Sequence, residues 1–247
     1  MKELTHGSLF SGMGGFDLGA EWAGFENKFN CEINRWCNRY LKKEFPNSKQ
    51  YADITKVEAI PHVTALSAGF PCQDISIAKG DKAQGIYGTQ SSLFFEVIRL
   101  AASSRPDYIL FENSSMLLTR GMYEVLTSLT SIGYMAEWRC LRASDFGYPH
   151  RRKRLYIIAY PISKRQRYLV FRPIETTSLS AKWTPTEAYL RVCAGRIEPS
   201  GIAATIPPHD VIPHIPQHIH AIGNAAMPVV TQYLFECIKF HIYNQNN

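Results

Sequence analysis

No apolar run in the 247-residue chain approaches the roughly 18 residues a membrane-crossing helix requires. The opening MKELTHGSLFSGMGG also lacks the long apolar stretch of a secretory signal, so the expectation is a cytoplasmic protein without a membrane partner. The six cysteines, at 31, 37, 72, 140, 193 and 237, include no C-x-x-C pair, which removes the usual spacing of a zinc site or a dithiol redox motif. Free thiols are expected, most of them as small core side chains, with Cys72 set apart by its surroundings. Charged residues make up only 19% of the chain and aromatics 12%, the opposite of a disordered composition. There is no internal repeat. The length suits one sizeable globular domain and a small second one.

Acid is missing from one stretch in particular. Between Phe146 and Ile174 there is none, against eight basic residues: Arg151, Arg152, Lys153, Arg154, Lys164, Arg165, Arg167 and Arg172. Those eight taken from 27 leave 19 basic residues to face 21 acids, so this stretch supplies the whole positive excess. Such a concentration suits a polyanion such as nucleic acid, or else a solvated basic face.

Short β-like runs alternate with helical patterns up to about residue 160. Strands are expected at His6–Phe10, Lys28–Ile33, Val63–Ser67, Tyr108–Glu112, Met135–Leu141 and Leu155–Tyr160, and helices at Phe16–Ala23, Arg35–Phe45, Ser91–Ala102 and Met122–Ile132. That alternation predicts an α/β domain with a mostly parallel sheet. Residues 161–217 carry eight prolines and little periodicity, reading as a small irregular lobe. A helix at Val229–Ile242, apolar at Val230, Leu234, Ile238 and Ile242, is expected to return to the first domain. The division is therefore 1–160, 161–217 and 218–247.

Five motifs stand at element boundaries. Phe10-Ser11-Gly12-Met13-Gly14-Gly15 lies between a strand and a helix, where a glycine turn permits close ligand approach or simply makes the turn. Glu32, one helix later, suits the two hydroxyls of a ribose, and Asp53, ending a third short strand, suits an adenine amino group. Gly69-Phe70-Pro71-Cys72-Gln73-Asp74 follows a strand, with Cys72 either an exposed thiol near arginines or a buried turn cysteine. Glu112, in Phe111-Glu112-Asn113-Ser114, is an acid if burial raises its pKa; its position alone favours a helix cap or surface acid. In His150-Arg151-Arg152-Lys153-Arg154 the alternation directs Arg152 and Arg154 to one face, a pair suited to a carbonyl, carboxylate or phosphate. Gly223-Asn224-Ala225-Ala226-Met227-Pro228 precedes the last helix. The histidines 209, 214, 218 and 220 read as a proline-rich loop rather than a metal site.

Together, Phe10–Gly15, Pro71-Cys72-Gln73, Glu112-Asn113, Arg152-x-Arg154 and Gly223-Asn224 resemble, in order, the motifs of the DNA (cytosine-5-)-methyltransferases, in a short bacterial or phage-type member. Ser92-Leu93-Phe94-Phe95 and Ala143-Ser144-Asp145-Phe146-Gly147 fit the same family. The resemblance implies a Rossmann-like methyltransferase domain with a small target-recognition lobe at 161–217. It implies S-adenosylmethionine as cofactor, with S-adenosylhomocysteine as product, bound by Phe10, Gly12, Gly14, Gly15, Glu32, Ile33, Asp53, Ile54, Pro71, Leu93, Asn224 and Ala225. Cys72 would be the nucleophile, Glu112 the partner of the cytosine ring nitrogen and amino group, and Arg154, supported by Arg152, the donor to the ring carbonyl; no metal is implied. The partner would be duplex DNA with its cytosine flipped out, the enzyme a monomer, and a restriction endonuclease a possible companion. Ser114 stands where the family usually has valine, His150 where it has glutamine, and the lobe is short. These departures keep a weakly active or inactive DNA-binding relative, or the same chemistry on RNA, as alternatives.

Overall fold

A computed structural model describes residues 3–71, 93–146, 152–164, 170–173 and 226–244. The first strand, β1 (Thr5–Leu9), runs into helix α1 (Gly15–Trp22), followed by β2 (Glu26–Cys31), α2 (Arg35–Glu44) and β3 (Lys49–Tyr51). Then come β4 (Ala65–Ala68), α3 (Phe94–Ser104), β5 (Tyr108–Asn113), α4 (Leu117–Arg120), α5 (Met122–Ser131), β6 (Tyr134–Arg142), β7 (Lys153–Pro161) and α6 (Pro228–Tyr243). The seven strands form one sheet in the order β3-β2-β1-β4-β5-β7-β6. Pairing is parallel from β3 through β5, and β7 is antiparallel to both of its neighbours.

Helices cover both faces, which is why every residue of β4 and β5 is buried. On one face α1 and α6 bury Phe16, Ala20, Leu234 and Ile238 against Tyr108, Leu110 and Ile158. On the other, α3 and α5 bury Val97, Leu100, Val125 and Leu129 against Leu66, Ile109, Phe111 and Ile157. Helix α2 adds Cys37 and Leu41 to Met13 and Leu18 of the α1 region. Its N-terminus is capped by Asn34, whose side chain accepts from the N–H groups of Trp36 (2.9 Å) and Cys37 (3.3 Å).

The sequence-derived strands and helices lie within a few residues of the observed ones. Three departures have physical causes. An extra residue bulges β2, shifting the register between His6 and Gly7, so the strand begins at Glu26 rather than Lys28 and Asn27 turns to the α1 side. There Asn27 Oδ1 meets His6 Nδ1 at 2.6 Å, while His6 Nε2 meets Ser67 Oγ at 2.8 Å. Burial pushes the His6 pKa down to about 4. Second, the third strand ends at Tyr51, and Asp53 instead caps a 3-10 helix at Ile54–Lys56. Third, α6 is not one-sided: Thr231, Gln232 and His241 are buried along with its apolar residues, because the helix packs on the sheet and beside α1 at once, His241 Nδ1 meeting the Tyr108 hydroxyl at 2.9 Å and Thr231 Oγ1 donating to Gly15 O at 2.8 Å. The glycines of α1 permit that contact; a Cβ on Gly15 would lie 2.0 Å from the backbone oxygen of Ala226.

Candidate active site

Strand order reverses between β1 and β4, which leave the sheet centre for opposite sides. Ligands of open α/β sheets bind at such a point, beyond the carboxyl ends of the strands. The Phe10–Gly15 turn, Glu32, Gly69–Pro71 and Glu112-Asn113 all emerge at this edge. Since β7 runs antiparallel, with Glu112 opposite Tyr156 and Asn113 opposite Leu155, it delivers Arg154, and Arg152 just before the strand, to the same edge.

The turn after β1 is conformationally unusual. Phe10 holds φ 55° and Gly12 φ 55°, both left-handed. Left-handed backbone at a bulky residue costs on the order of 1–3 kcal/mol and persists where surrounding structure enforces it. Here Ser11 enforces it, donating its N–H to Cys31 O (3.0 Å) and accepting at Oγ from Cys31 N–H (3.0 Å). Gly12 N–H then donates to Glu32 Oε2 at 2.8 Å, and Asn34 N–H to Glu32 Oε1 at 2.8 Å. Each carboxylate oxygen keeps a second lone pair, so half-buried Glu32 can still accept from a ligand diol. Among the described residues, nothing lies within 4 Å of where a Gly12 Cβ would stand. An open backbone face beside a fixed carboxylate is what a nucleoside cofactor requires.

Around this turn the other expected cofactor residues are distributed unequally. Exposed Ile33 flanks Glu32, whereas Ile54 is buried in the second core cluster. Asp53 accepts from Thr55 N–H (3.0 Å) and Thr55 Oγ–H (2.8 Å), and these bonds hold its pKa below the usual carboxylate range. Gly14 faces the ring of Phe45 and Gly15 faces Ala226, so both glycines are required by packing. Leu93 packs half-buried at the start of α3, and Pro71 lies half-buried beyond β4. Asn113 fixes that last segment, its Nδ2 donating to Phe70 O at 3.1 Å, a clamp the sequence reading did not assign. Cys72, Asn224, Ala225, the four candidate metal-loop histidines and nearly all of 161–217 lie outside the described residues.

Glu112 is buried at the end of β5, not a helix cap or surface acid, because β7 covers the strand at that position. Arg154 Nε lies 3.0 Å and Arg152 Nη2 3.8 Å from Glu112 Oε1. The closer contact is an ion pair rather than an aligned hydrogen bond, and Oε1 has no hydrogen-bond partner among the described residues. Burial raises the Glu112 pKa above the ordinary carboxylate value, and both guanidiniums oppose the rise only in part. Tyr156, beside this group, has its own pKa raised by burial and by the charge of Glu112. The arrangement is a buried carboxyl able to hold a proton, with two cations beside it at the start of β7.

A family model for C-5 cytosine-specific DNA methylase matches residues 4–192. Relatives include the Type II methyltransferase M.NlaIV of Neisseria lactamica, 35% identical over 176 residues that cover 64% of this chain and 41% of that protein. M.DsaV of Dactylococcopsis salina is 34% identical over 186 residues, covering 72% of this chain and 52% of that protein. The chain therefore spans about half the length of the curated relatives it matches. Among solved structures, the Entamoeba histolytica methyltransferase EhMeth superposes with a TM-score of 0.69 over 98% of this chain and 99% of that one; at 15% identity the likeness is one of fold. With the family model spanning most of its length, the chain belongs to the C-5 cytosine-specific DNA methylase family.

Proposed function

We propose that this chain transfers a methyl group from S-adenosylmethionine to carbon 5 of a cytosine flipped out of duplex DNA, through a transient bond between Cys72 and carbon 6. The observation that carries the reading is the buried Glu112 carboxyl, with a raised pKa, beside Arg154 and Arg152 at the ligand-binding edge of the sheet. Carbon 5 of cytosine is a poor nucleophile. Addition of the Cys72 thiolate to carbon 6, with a proton passing from Glu112 to the ring nitrogen, turns the ring into a neutral enamine whose carbon 5 is electron-rich. Arg154 holds the ring carbonyl and, with Arg152, stabilises the ionised form of Glu112 once the proton has left. The bound cofactor supplies an electrophilic methyl on a sulfonium. Loss of the carbon-5 proton to a solvent base expels the Cys72 thiolate and restores the double bond, and the ring nitrogen returns its proton to Glu112.

The cofactor fits the open face of Gly12, with the Glu32 carboxylate on its ribose hydroxyls. Phe10, Ile33, Asp53, Ile54, Pro71, Leu93, Asn224 and Ala225 would complete its surroundings. Residues 161–217 would read the DNA, with the basic stretch at their root meeting phosphates. Unstacking the target base costs a few kcal/mol, repaid by the pocket. In this reading the enzyme is a cytoplasmic monomer. The Type II names of its relatives make a cognate restriction endonuclease a partner to seek.

The test is transfer of labelled methyl to mixed-sequence duplex DNA by wild type, Cys72→Ser and Glu112→Gln. Label on cytosine carbon 5 that disappears with Cys72→Ser supports the proposal. Cofactor binding without DNA label contradicts it, and label on RNA under the same conditions would reassign the substrate.

A further inference from the structure

Beneath the Phe10–Gly15 turn runs a chain of polar groups with no part in the chemistry above. Cys31 N–H donates to Ser11 Oγ at 3.0 Å, Ser11 Oγ and Ser8 Oγ are 2.6 Å apart, and Ser8 Oγ–H donates to Asp17 Oδ1 at 2.8 Å. All three side chains are buried, those of Ser8 and Asp17 completely. Because the Ser8 proton is committed to the carboxylate, the 2.6 Å bond must be donated by Ser11, so the chain is directed from β2 to Asp17 in α1. Its upper end grips Cys31 on both sides, through Ser11 Oγ and through Ser11 N–H to Cys31 O. The neighbouring residues, Gly12 and Glu32, are the pair joined at 2.8 Å.

We propose that Asp17 is a positioning residue for the cofactor: acting through Ser8 and Ser11, it locks the turn so that Gly12 N–H and the Glu32 carboxylate are preset to receive the nucleoside. This rests on the assignment of that turn and Glu32 to S-adenosylmethionine. Without an acceptor at position 17, Ser8 is free to donate to Ser11 instead. Ser11 then has only the carbonyls of Ser8 and Cys31, each 3.3 Å away, and must share the second with its own N–H. The turn gains a second arrangement, and the cofactor must select the competent one. A site kept only for stability would not retain this acid, since burial pushes its pKa up to about 7 and Oδ2 has no hydrogen-bond partner among the described residues.

The experiment is calorimetric titration of S-adenosylmethionine into wild type, Asp17→Asn, Asp17→Ala, Ser8→Ala and Glu32→Ala, with steady-state kinetics on DNA. Asp17→Ala should weaken binding about tenfold and Ser8→Ala about fivefold, the scale of one net hydrogen bond. The KM for the cofactor should rise in parallel while kcat and the KM for DNA stay within twofold. Asp17→Asn, which keeps an acceptor facing Ser8, should bind within threefold of wild type. Wild-type affinity in Asp17→Ala, or equal losses in Asp17→Asn and Asp17→Ala, overturns the proposal. Should Asp17→Ala fail to fold, wild-type affinity in Ser8→Ala overturns it. A wild-type protein that does not bind the cofactor, or a Glu32→Ala variant that binds it normally, instead overturns the assignment on which the proposal rests.

Discussion

Replacing Asp17 by Asn should stabilise the protein in a pH-dependent manner. The Asp17 carboxyl ordinarily titrates at 3.8, and burial moves it to about 7 in the fold. A shift of about three units corresponds to about 4 kcal/mol at 1.36 kcal/mol per unit. The folded state binds the extra proton, so the associated stability is intact below pH 4 and is lost as the pH rises through 7. Asparagine carries no charge at any pH and escapes that loss. The variant should therefore match wild type near pH 4, gain progressively between pH 4 and 7, and level off above pH 7 at up to about 4 kcal/mol more stable. His6 works in the opposite direction: its pKa is depressed from 6.5 to about 4, so stability is lost as the pH falls through that window. In wild type the two slopes largely cancel, and Asp17→Asn should expose the His6 slope. Urea denaturation of both proteins at half-unit intervals from pH 4.5 to 8 measures the difference. A constant difference across that range would refute the burial assigned to Asp17.

Other perturbations probe the remaining parts of the account. Glu112→Gln should lower kcat about 10²- to 10⁴-fold, the usual contribution of a general acid, while leaving DNA binding by gel shift near wild type. Arg154→Lys removes the guanidinium that lies 3.0 Å from Glu112 and is proposed to hold the ring carbonyl, and should slow single-turnover methylation roughly 10- to 100-fold, the cost of losing one charge-assisted hydrogen bond to that carbonyl. Arg152→Lys, at 3.8 Å, should cost less than Arg154→Lys in the same assay. Gly15→Ala drives a methyl to within 2.0 Å of Ala226 O and should destabilise the protein by about 1–3 kcal/mol or more, lowering the thermal midpoint by several degrees.

What the sequence revealed and what it concealed follow from the range of the interactions. The apolar run Tyr108–Phe111 and the alternation of Leu93, Phe94, Val97 and Ile98 act within a few residues, and β5 and α3 formed nearly where such runs place them. Arg152 and Arg154 were legible as a same-face pair because a strand has period two. That they reach Glu112 was not legible, since it depends on β7 running antiparallel beside β5, a choice no local pattern records. The same pairing buries Glu112, which position alone made a surface acid. The His6–Asn27–Ser67 row joins residues up to 61 positions apart and requires a bulge in β2. Asp17, in the first turn of α1, carries no mark in the sequence; only the packed structure shows that it is buried on Ser8.

The central claim is a covalent bond between Cys72 and the target cytosine. The most direct measurement incubates the protein and S-adenosylmethionine with mixed-sequence duplex DNA in which cytosine is replaced by 5-fluorocytosine. Fluorine at carbon 5 cannot leave as the proton does, so the thiol should remain attached after methyl transfer. The account predicts a complex stable to denaturation that forms with wild type and not with Cys72→Ser, and whose peptide map places the nucleotide on Cys72. Methylation of ordinary DNA without any trapped complex, or trapping at a different residue, would contradict it.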